Sequence, residues 1–373
     1  MYTRATFLLY SVVISWVFWS SEATLKEDVP LDADVDHYEE MVLIKGQQFT
    51  MGTDAEDAKE GEGPARLQTV KSFKINRYPV TIASFRKFVK AKKYKTEAEK
   101  FGWSFVLEMF VSKKVSKEAK DRIKGAPWWV PVDRAYWRMP EGKGSTIEHR
   151  LNHPVVHVSL RDAKAFCDWH GWRLPTEMEW EAAARGGLAK RKYPWGNKFD
   201  LSRMNIWQGK FPEKNAKKDG YKGVSPVDAF PEQNEYDLYD MVGNVWEWTS
   251  SRFDGDDDAE ETENTKYVLR GGSYIDSKDG SFNHQVRVTT RTGNTPDAGS
   301  DNMGFRCAVS VPKTDSQKPP KGKKINQDGK KQQAEGPKVI VQDGKKAKPI
   351  KPNPADLNGK KSTGRKKPTG DEL

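Results

Sequence analysis

Apolar residues in this chain come in short runs, and the period of those runs changes along its length. Met41–Met51 (MVLIKGQQFTM) gathers apolar positions on both sides of Gly46 and predicts strand with a turn at the glycine. Gln68–Ile75 alternates apolar and polar residues, the pattern of a half-buried strand. In Thr81–Ala91 the period shifts. Phe85, Phe88 and Val89 recur at helical spacing behind Thr81 or Ser84, which predicts a short amphipathic helix. Leu160–His170 predicts a second helix, capped by Ser159, with Ala163, Phe166, Cys167 and His170 on one face. Thr176–Arg185 predicts a third, with Thr176 and Glu179 at capping-box spacing. Tyr94–Ser145 is aromatic, basic and broken by Pro and Gly. That predicts loops packed by large rings, with a charged helical turn at Lys113–Lys124. Loops and short strands return after the third helix and run through Gly304.

The two ends carry different patterns. Residues 1–23 read as a signal peptide: Arg4, the apolar run Ala5–Trp19, then Ser21-Glu22-Ala23 at a signal-peptidase spacing. Residues 24–37 form an acidic lead-in. Residues 312–373 are rich in Lys, Pro and Gly, lack aromatics and repeat QDGKK at Gln327–Lys331 and Gln342–Lys346. Such a segment cannot bury a core and is expected to be disordered. It closes on Gly370-Asp371-Glu372-Leu373, a variant of the signal that a retrieval receptor reads. Together the two ends predict residence in the endoplasmic reticulum lumen, with no membrane span in the mature chain.

Charge and cysteine content sharpen this picture. The 373 residues carry a net charge of +10, and Val311–Leu373 alone holds 17 Lys and Arg against 7 Asp and Glu. The rest of the chain is therefore balanced, which argues against a nucleic-acid-binding surface on the globular part. The 2 cysteines, Cys167 and Cys307, read as one structural disulfide in an oxidising lumen.

The segment Val268–Val309 is the most specific stretch, with RGGSY, NTPD and GFRC in order. It resembles the carboxy-terminal signature of the formylglycine-generating enzymes, or sulfatase-modifying factors. The likeness extends from Met41 to Ala308 through MVLIKGQQFTMG, YPVT, HPVVHVSLRDAKAFCDWHGWRLPTEMEWEAAARGG, YPWGN, NIWQGKFP and LYDMVGNVWEWT. The resemblance implies one α+β domain over residues 38–311, related to the C-type lectin fold and poor in regular structure.

The family oxidises a cysteine in a Cys-x-Pro-x-Arg segment of sulfatases to formylglycine, using oxygen and copper(I) held by two cysteines. Here Asp276 stands at the first cysteine position, and the second falls near Ser281 or Asn283. A carboxylate is a hard oxygen ligand and no substitute for the thiolate that copper(I) prefers, so neither copper nor catalysis is expected. In this the segment resembles the family's non-catalytic branch. The resemblance also implies two structural calcium sites. One uses Asn205, Ile206, Asp219 and Tyr221; the other uses Asp240, Gly243, Val245 and Glu247, all as oxygen donors. It places Trp246, Ser273, Arg291, Asn294 and Asp297 around a peptide-binding groove.

The expected function is binding of sulfatases, the active enzyme or both, with modulation (inhibition being the expected direction) of formylglycine formation. Homodimerisation is a further expectation. Two alternatives remain open: altered chemistry on the same fold, drawn from Asp276, Asp279, Ser281 and His284 as a carboxylate–serine–histidine set, and a lectin-like or chaperone binder. His149, His153 and His157 have helical zinc spacing, but Pro154 and Val155–Val158 predict an extended strand there, so they read as structural. Asp254–Glu263 lacks the ligand spacing of a calcium loop and reads as a solvated insertion.

Overall fold

The first ribbon of the structure, a computed structural model, shows how this chain builds sheets from short pieces. β1 (Met41–Ile44) pairs antiparallel with β4 (Phe73–Asn76), and β2 (Gln47–Met51) with β3 (Arg66–Val70). Ile44 lies opposite Phe73 and Gln47 opposite Val70, so one register continues across a break at Gly46 and Ser72. The Gly46 amide donates to the Ser72 hydroxyl at 2.9 Å, and a Cβ at Gly46 would lie 3.1 Å from the Ser72 nitrogen. Gly46 is therefore a kink in one ribbon and not a turn, and Gln68–Ile75 is split between two sheets. β13 (Ala308–Ser310) adds to β4 and closes a three-stranded sheet.

The structure describes residues 36–312 apart from 120, 121, 256, 258 and 259. The signal peptide, most of the acidic lead-in, the tail and the retrieval signal lie outside the described residues. No helix among the described residues is long and apolar enough to cross a membrane.

The helices form where their caps predict. α1 (Ile82–Lys92) starts at Thr81, whose side chain accepts from the Ser84 amide, and ends at Lys93 in the left-handed region. α4 (Leu160–Trp169) and α5 (Glu177–Ala184) each begin with a capping box, Ser159 with Asp162 and Thr176 with Glu179. Each box satisfies two of the amides that a helix start leaves unpaired.

Tyr94–Ser145 is more regular than its composition suggests. α2 (Glu97–Phe101) has a Thr96–Glu99 capping box and stops at Gly102, whose φ is 81°. β5 (Trp103–Leu107) pairs with β6 (Trp129–Asp133), and α3 (Lys113–Glu118) lies between them in sequence. Pro131 sits inside β6 because that strand is an edge, where no donor is required on the open side. The expected strand at Val155–Val158 does not form. Only a bridge from Pro154 to Thr81 is present, and His157 has φ 59°.

The main sheet orders β11 (Arg291–Asn294), β10 (Tyr267–Arg270), β9 (Trp246–Arg252) and β12 (Met303–Phe305), the last parallel to β9. A minor pair joins β7 (Gly209–Lys210) to β8 (Lys214–Asn215). Phe85, Phe88, Trp137, Phe166, Trp248 and Phe305 pack the largest core cluster between this sheet, α1 and α4. Cys167 of α4 and Cys307, just before β13, form a disulfide inside that cluster, with Cα atoms 5.7 Å apart.

A second layer of cohesion is ionic and fully buried. Arg306 holds both oxygens of Glu247, each at 2.7 Å, and Trp180 Nε1 donates to Glu247 Oε2 at 2.8 Å. Arg270 reaches Glu181 at 2.6 Å and Glu177 at 3.2 Å. These contacts tie α5 to β9, β10 and the segment after β12.

Candidate functional site

The site begins where β10 leaves the sheet. Gly271 and Gly272 have φ of 93° and 75°, and a Cβ at Gly271 would come 2.9 Å from the Met241 carbonyl oxygen. The double glycine thus lets the chain turn tightly against the Met241 segment and presents Ile275 and Asp276 to a groove of about 670 Å³.

Asp276 is buried; its carbonyl accepts from the Trp207 amide at 2.9 Å, and its carboxylate bonds to this loop and the one that returns beside it. Oδ2 accepts from the Ser273 amide at 2.7 Å and the Ser273 hydroxyl at 2.8 Å. Oδ1 accepts from the His284 amide at 3.0 Å, and His284 Nδ1 lies 3.2 Å away. His284 Nε2 in turn faces Glu60 Oε1 at 3.5 Å. Burial opposes charge on this imidazole, but the bonds to Asp276 and Glu60 outweigh it and raise its pKa to about 10. The same contact lowers the pKa of Glu60. Trp246 meets the His284 ring edge-to-face at 4.9 Å. Asn302 donates to Ser273 Oγ at 3.0 Å and accepts from Ser300 at 2.6 Å, which extends the network along the floor.

Asp276, Asn283, His284, Trp246, Asn294 and Asp297 all line the groove. Of the two candidates for the second cysteine position, Asn283 faces the groove, while Ser281 is exposed and not part of the lining. Asn283 has φ 60° and donates to the Ile275 carbonyl at 2.9 Å. Ser273 lies beneath the lining, bonded to Asp276. Arg291 is placed elsewhere, because its guanidinium is drawn to Glu177 at 2.7 Å and to the Glu60 carbonyl at 2.8 Å.

The carboxylate–serine–histidine set does not assemble. Ser281 is held by its amide to Asp279 at 3.1 Å, and Asp279 also accepts from Ser277 at 3.3 Å. The histidine's carboxylate partners are Asp276 and Glu60, and the hydroxyl on Asp276 belongs to Ser273. A serine–histidine pair needs the imidazole within reach of the hydroxyl; Ser281 is bonded to Asp279, whose carboxyl it helps hold low, while His284 is engaged by Asp276 and Glu60. Glu60 is the participant that sequence reasoning missed, since no local pattern links it to a histidine so far along the chain.

Of the histidines set aside in the sequence, His149 is exposed, His153 is half-buried and His157 is buried. His157 is fully buried, its Nδ1 lies 2.9 Å from Ser104 Oγ, and burial pushes its pKa down to about 3. Burial lowers His153 to about 4. Asp254–Glu263 is partly anchored: Asp257 accepts from the Arg252 amide at 2.5 Å, and Glu261 pairs with Arg161 at 3.4 Å.

Both expected calcium positions present hard oxygen donors. At the first, the Ile206 carbonyl and Asp219 Oδ2 converge on the Gln208 amide nitrogen, the latter at 2.5 Å. That electropositive group sits where a cation would be attracted. Asn205 turns its Nδ2 to the Gly223 carbonyl at 2.8 Å, and the Tyr221 amide donates to Asp219 Oδ1 at 3.0 Å. At the second, Asp240 is buried with one side-chain donor, Asn244 Nδ2 at 2.7 Å. Burial raises its pKa to about 7, against the pull of Asn244 and Arg306, and Glu247 adds to the rise. Glu247 Oε2 is saturated by Trp180 and Arg306, and Oε1 keeps a lone pair for a single bond. Gly243, with φ 88°, brings this loop against the first, since a Cβ there would lie 2.6 Å from the Asn205 carbonyl oxygen. Only at the first position do two of the oxygen donors converge on one group; at the second, Asp240 is bonded to Asn244 and Glu247 to Arg306 and Trp180.

Comparison with known proteins decides the family. Residues 26–311 match the model of the sulfatase-modifying factor enzyme 1-like domain. The chain belongs to the sulfatase-modifying factor family. It is 58% identical over 268 residues to the inactive C-alpha-formylglycine-generating enzyme 2 of Bos taurus, covering 72% of this chain and 87% of that protein. It is 50% identical over 280 residues to the formylglycine-generating enzyme of Mus musculus, covering 72% of this chain and 74% of that one. PvdO from Pseudomonas aeruginosa shares the fold of this sulfatase-modifying factor domain, with a TM-score of 0.51 and 24% identity over 73% of this chain and 94% of the other.

Proposed function

We propose that this chain is a non-catalytic sulfatase-modifying factor of the endoplasmic reticulum lumen. It binds sulfatase polypeptides, the active formylglycine-generating enzyme or both, and restrains formylglycine formation. The observation that carries the reading is the state of Asp276. At the position where the family places a thiol, a carboxylate is bonded to the Ser273 amide and hydroxyl and to His284. Both cysteines of the chain are consumed by one disulfide, so no thiolate remains for copper(I). Relatives at 57–58% identity carry the name of an inactive enzyme, which supports the same conclusion.

The groove itself is intact and lined, so recognition can persist where turnover does not. Calcium, held by the Asn205–Tyr221 and Asp240–Glu247 donor sets, would cross-link two segments that hold little regular structure and so support the groove wall. Its role is structural.

Two measurements test the reading. Incubation of the pure protein with a Cys-x-Pro-x-Arg peptide, oxygen and copper should leave the cysteine unconverted; formylglycine in the product would overturn it. Affinity capture from lumenal extract should retain a sulfatase or the active enzyme, both with the full chain and with a chain ending near Pro312. Capture of neither would remove the binding role.

A further inference from the structure

A cavity of about 530 Å³ opens where the β2–β3 connection, the end of α5 and the loop that follows it meet. It shares no lining residue with the groove. Five of its lining side chains are cationic (Arg185, Lys190, Arg191, Lys192 and Arg287), against two carboxylates, Asp54 and Asp57. No aromatic or large apolar side chain lines it. Such a lining offers nothing to an apolar ligand or a stacked ring, and it concentrates positive potential in a concave space.

The two arginines are built into the wall, and only one of them is fully engaged. Arg287 is buried, and its guanidinium meets Glu62 Oε2 at 2.6 Å, Asp57 Oδ1 at 2.6 Å and the Asp57 carbonyl at 3.0 Å. Arg185 is 4% exposed. Its Nε and Nη2 donate to Glu181 at 2.9 and 2.6 Å, and Nη2 also reaches the Gly52 carbonyl at 2.9 Å. The Gly52 amide returns a bond to Glu181 at 2.7 Å, so the guanidinium plane is fixed. Nη1 makes no hydrogen bond among the described residues, although a buried guanidinium ordinarily finds acceptors for its donors. Glu181 does not balance it alone, because the same carboxylate holds Arg270 at 2.6 Å. A fixed donor without an acceptor thus faces the cavity.

Lys190, Arg191 and Lys192 supply the open side. None forms an ion pair among the described residues, and Lys192 acts on Asp57 only at longer range. The backbone holds the run in place. The Lys192 amide donates to Asn197 Oδ1 at 3.0 Å, and its carbonyl accepts from the Val288 amide at 2.8 Å, next to Arg287. We propose that the cavity binds a sugar phosphate, with the phosphate on Arg185 Nη1 and the Lys190–Lys192 run and the sugar hydroxyls on Thr53, Asp54 and Asn197. A phosphomonoester carries about −1.5 to −2 charges at neutral pH and three acceptor oxygens. That answers an excess of cations better than the single charge of a carboxylate or a sulfate ester. The cavity is many times the volume share of one water, about 30 Å³, so a phosphate fills only part of it. The remaining lining is polar, and so is the carrier it fits. The site stands independently of the binding role above.

Isothermal titration calorimetry of the full chain with glucose 6-phosphate and ribose 5-phosphate tests the site. Glucose, glucose 6-sulfate and inorganic phosphate are the controls. At least one sugar phosphate should bind about tenfold or more tightly than the sulfate ester and inorganic phosphate, and glucose should give no binding heat. Lys190→Gln combined with Arg191→Gln should weaken the sugar phosphate at least about tenfold. Lys95→Gln combined with Lys266→Gln removes the same charge from exposed positions outside the lining and should leave binding unchanged. Arg185→Lys keeps the charge, removes the fork and should also weaken binding; circular dichroism checks its folding, and the exposed pair tests the site even where this buried change unfolds the chain. Failure of both sugar phosphates to bind, or binding that ignores the Lys190 and Arg191 exchange, would overturn the proposal. Inorganic phosphate binding as tightly as the sugar phosphates would mean an adventitious ion only. Equal binding of glucose 6-sulfate would overturn the choice of phosphate.

Discussion

Asp276 Oδ1 lies 3.2 Å from His284 Nδ1, and the imidazole is held from its other side by Glu60 at 3.5 Å. Together the three side chains form an ion cluster that joins the RGGSY turn, the returning loop at His284 and the segment around Glu60. The cluster gives the groove a fixed floor.

Asp276→Ala should therefore destabilise the protein strongly. It removes one side of a buried pair and leaves Ser273 and His284 donors without their acceptor. Losses of this kind run to about 3–5 kcal/mol. Urea titration of the two proteins under identical conditions reads the difference, and a value within about 0.5 kcal/mol of zero would contradict the arrangement.

The pH dependence of stability should carry the mark of His284. Its pKa rises from the ordinary value of about 6.5 to about 10 on folding. The contribution is thus complete below the unfolded value and is lost as the pH rises through about 10, at a slope of at most about 1.4 kcal/mol per unit. Other groups titrate in this range, so the comparison is between the native chain and His284→Gln. The difference in unfolding free energy between them should shrink from pH 7 to pH 10.

Loss of the disulfide should lower stability without changing the fold. Cys167 and Cys307 are separated by 140 positions, and closure of such a loop is worth about 4–5 kcal/mol in the chain-entropy model. The Cys167→Ala, Cys307→Ala double variant should show that decrease in chemical unfolding, with the near-ultraviolet circular dichroism of the folded state retained.

Calcium should raise the melting temperature and chelation lower it. At a free concentration about 1,000 times the dissociation constant, the gain is about 4 kcal/mol. Asp219→Asn should reduce the shift by weakening the Asn205–Tyr221 set, whereas an exposed change such as Lys190→Gln should leave it intact. The absence of any calcium-dependent shift in the native chain would remove the metal from the account.

What the sequence determined alone was local or had a single solution. Thr81, Ser159 and Thr176 mark helix starts because a cap acts within about one turn. Cys167 and Cys307 could pair only with each other. The ordered motifs from Met41 to Ala308 pointed to the family, and Asp276 to the missing thiol. In Tyr94–Ser145 the helical turn that became α3 was legible, but the β5–β6 pair was not, because its Trp and Pro residues serve strands whose partners are more than twenty positions apart in sequence. Only the tertiary structure decided that Glu60 meets His284, that Arg291 turns to Glu177, that Asn283 rather than Ser281 faces the groove, and that Lys190–Lys192 share a cavity with Arg185 and Arg287. Each depends on segments brought together by the buried Arg–Glu pairs and the β9 sheet, and local spacing carries no record of such contacts.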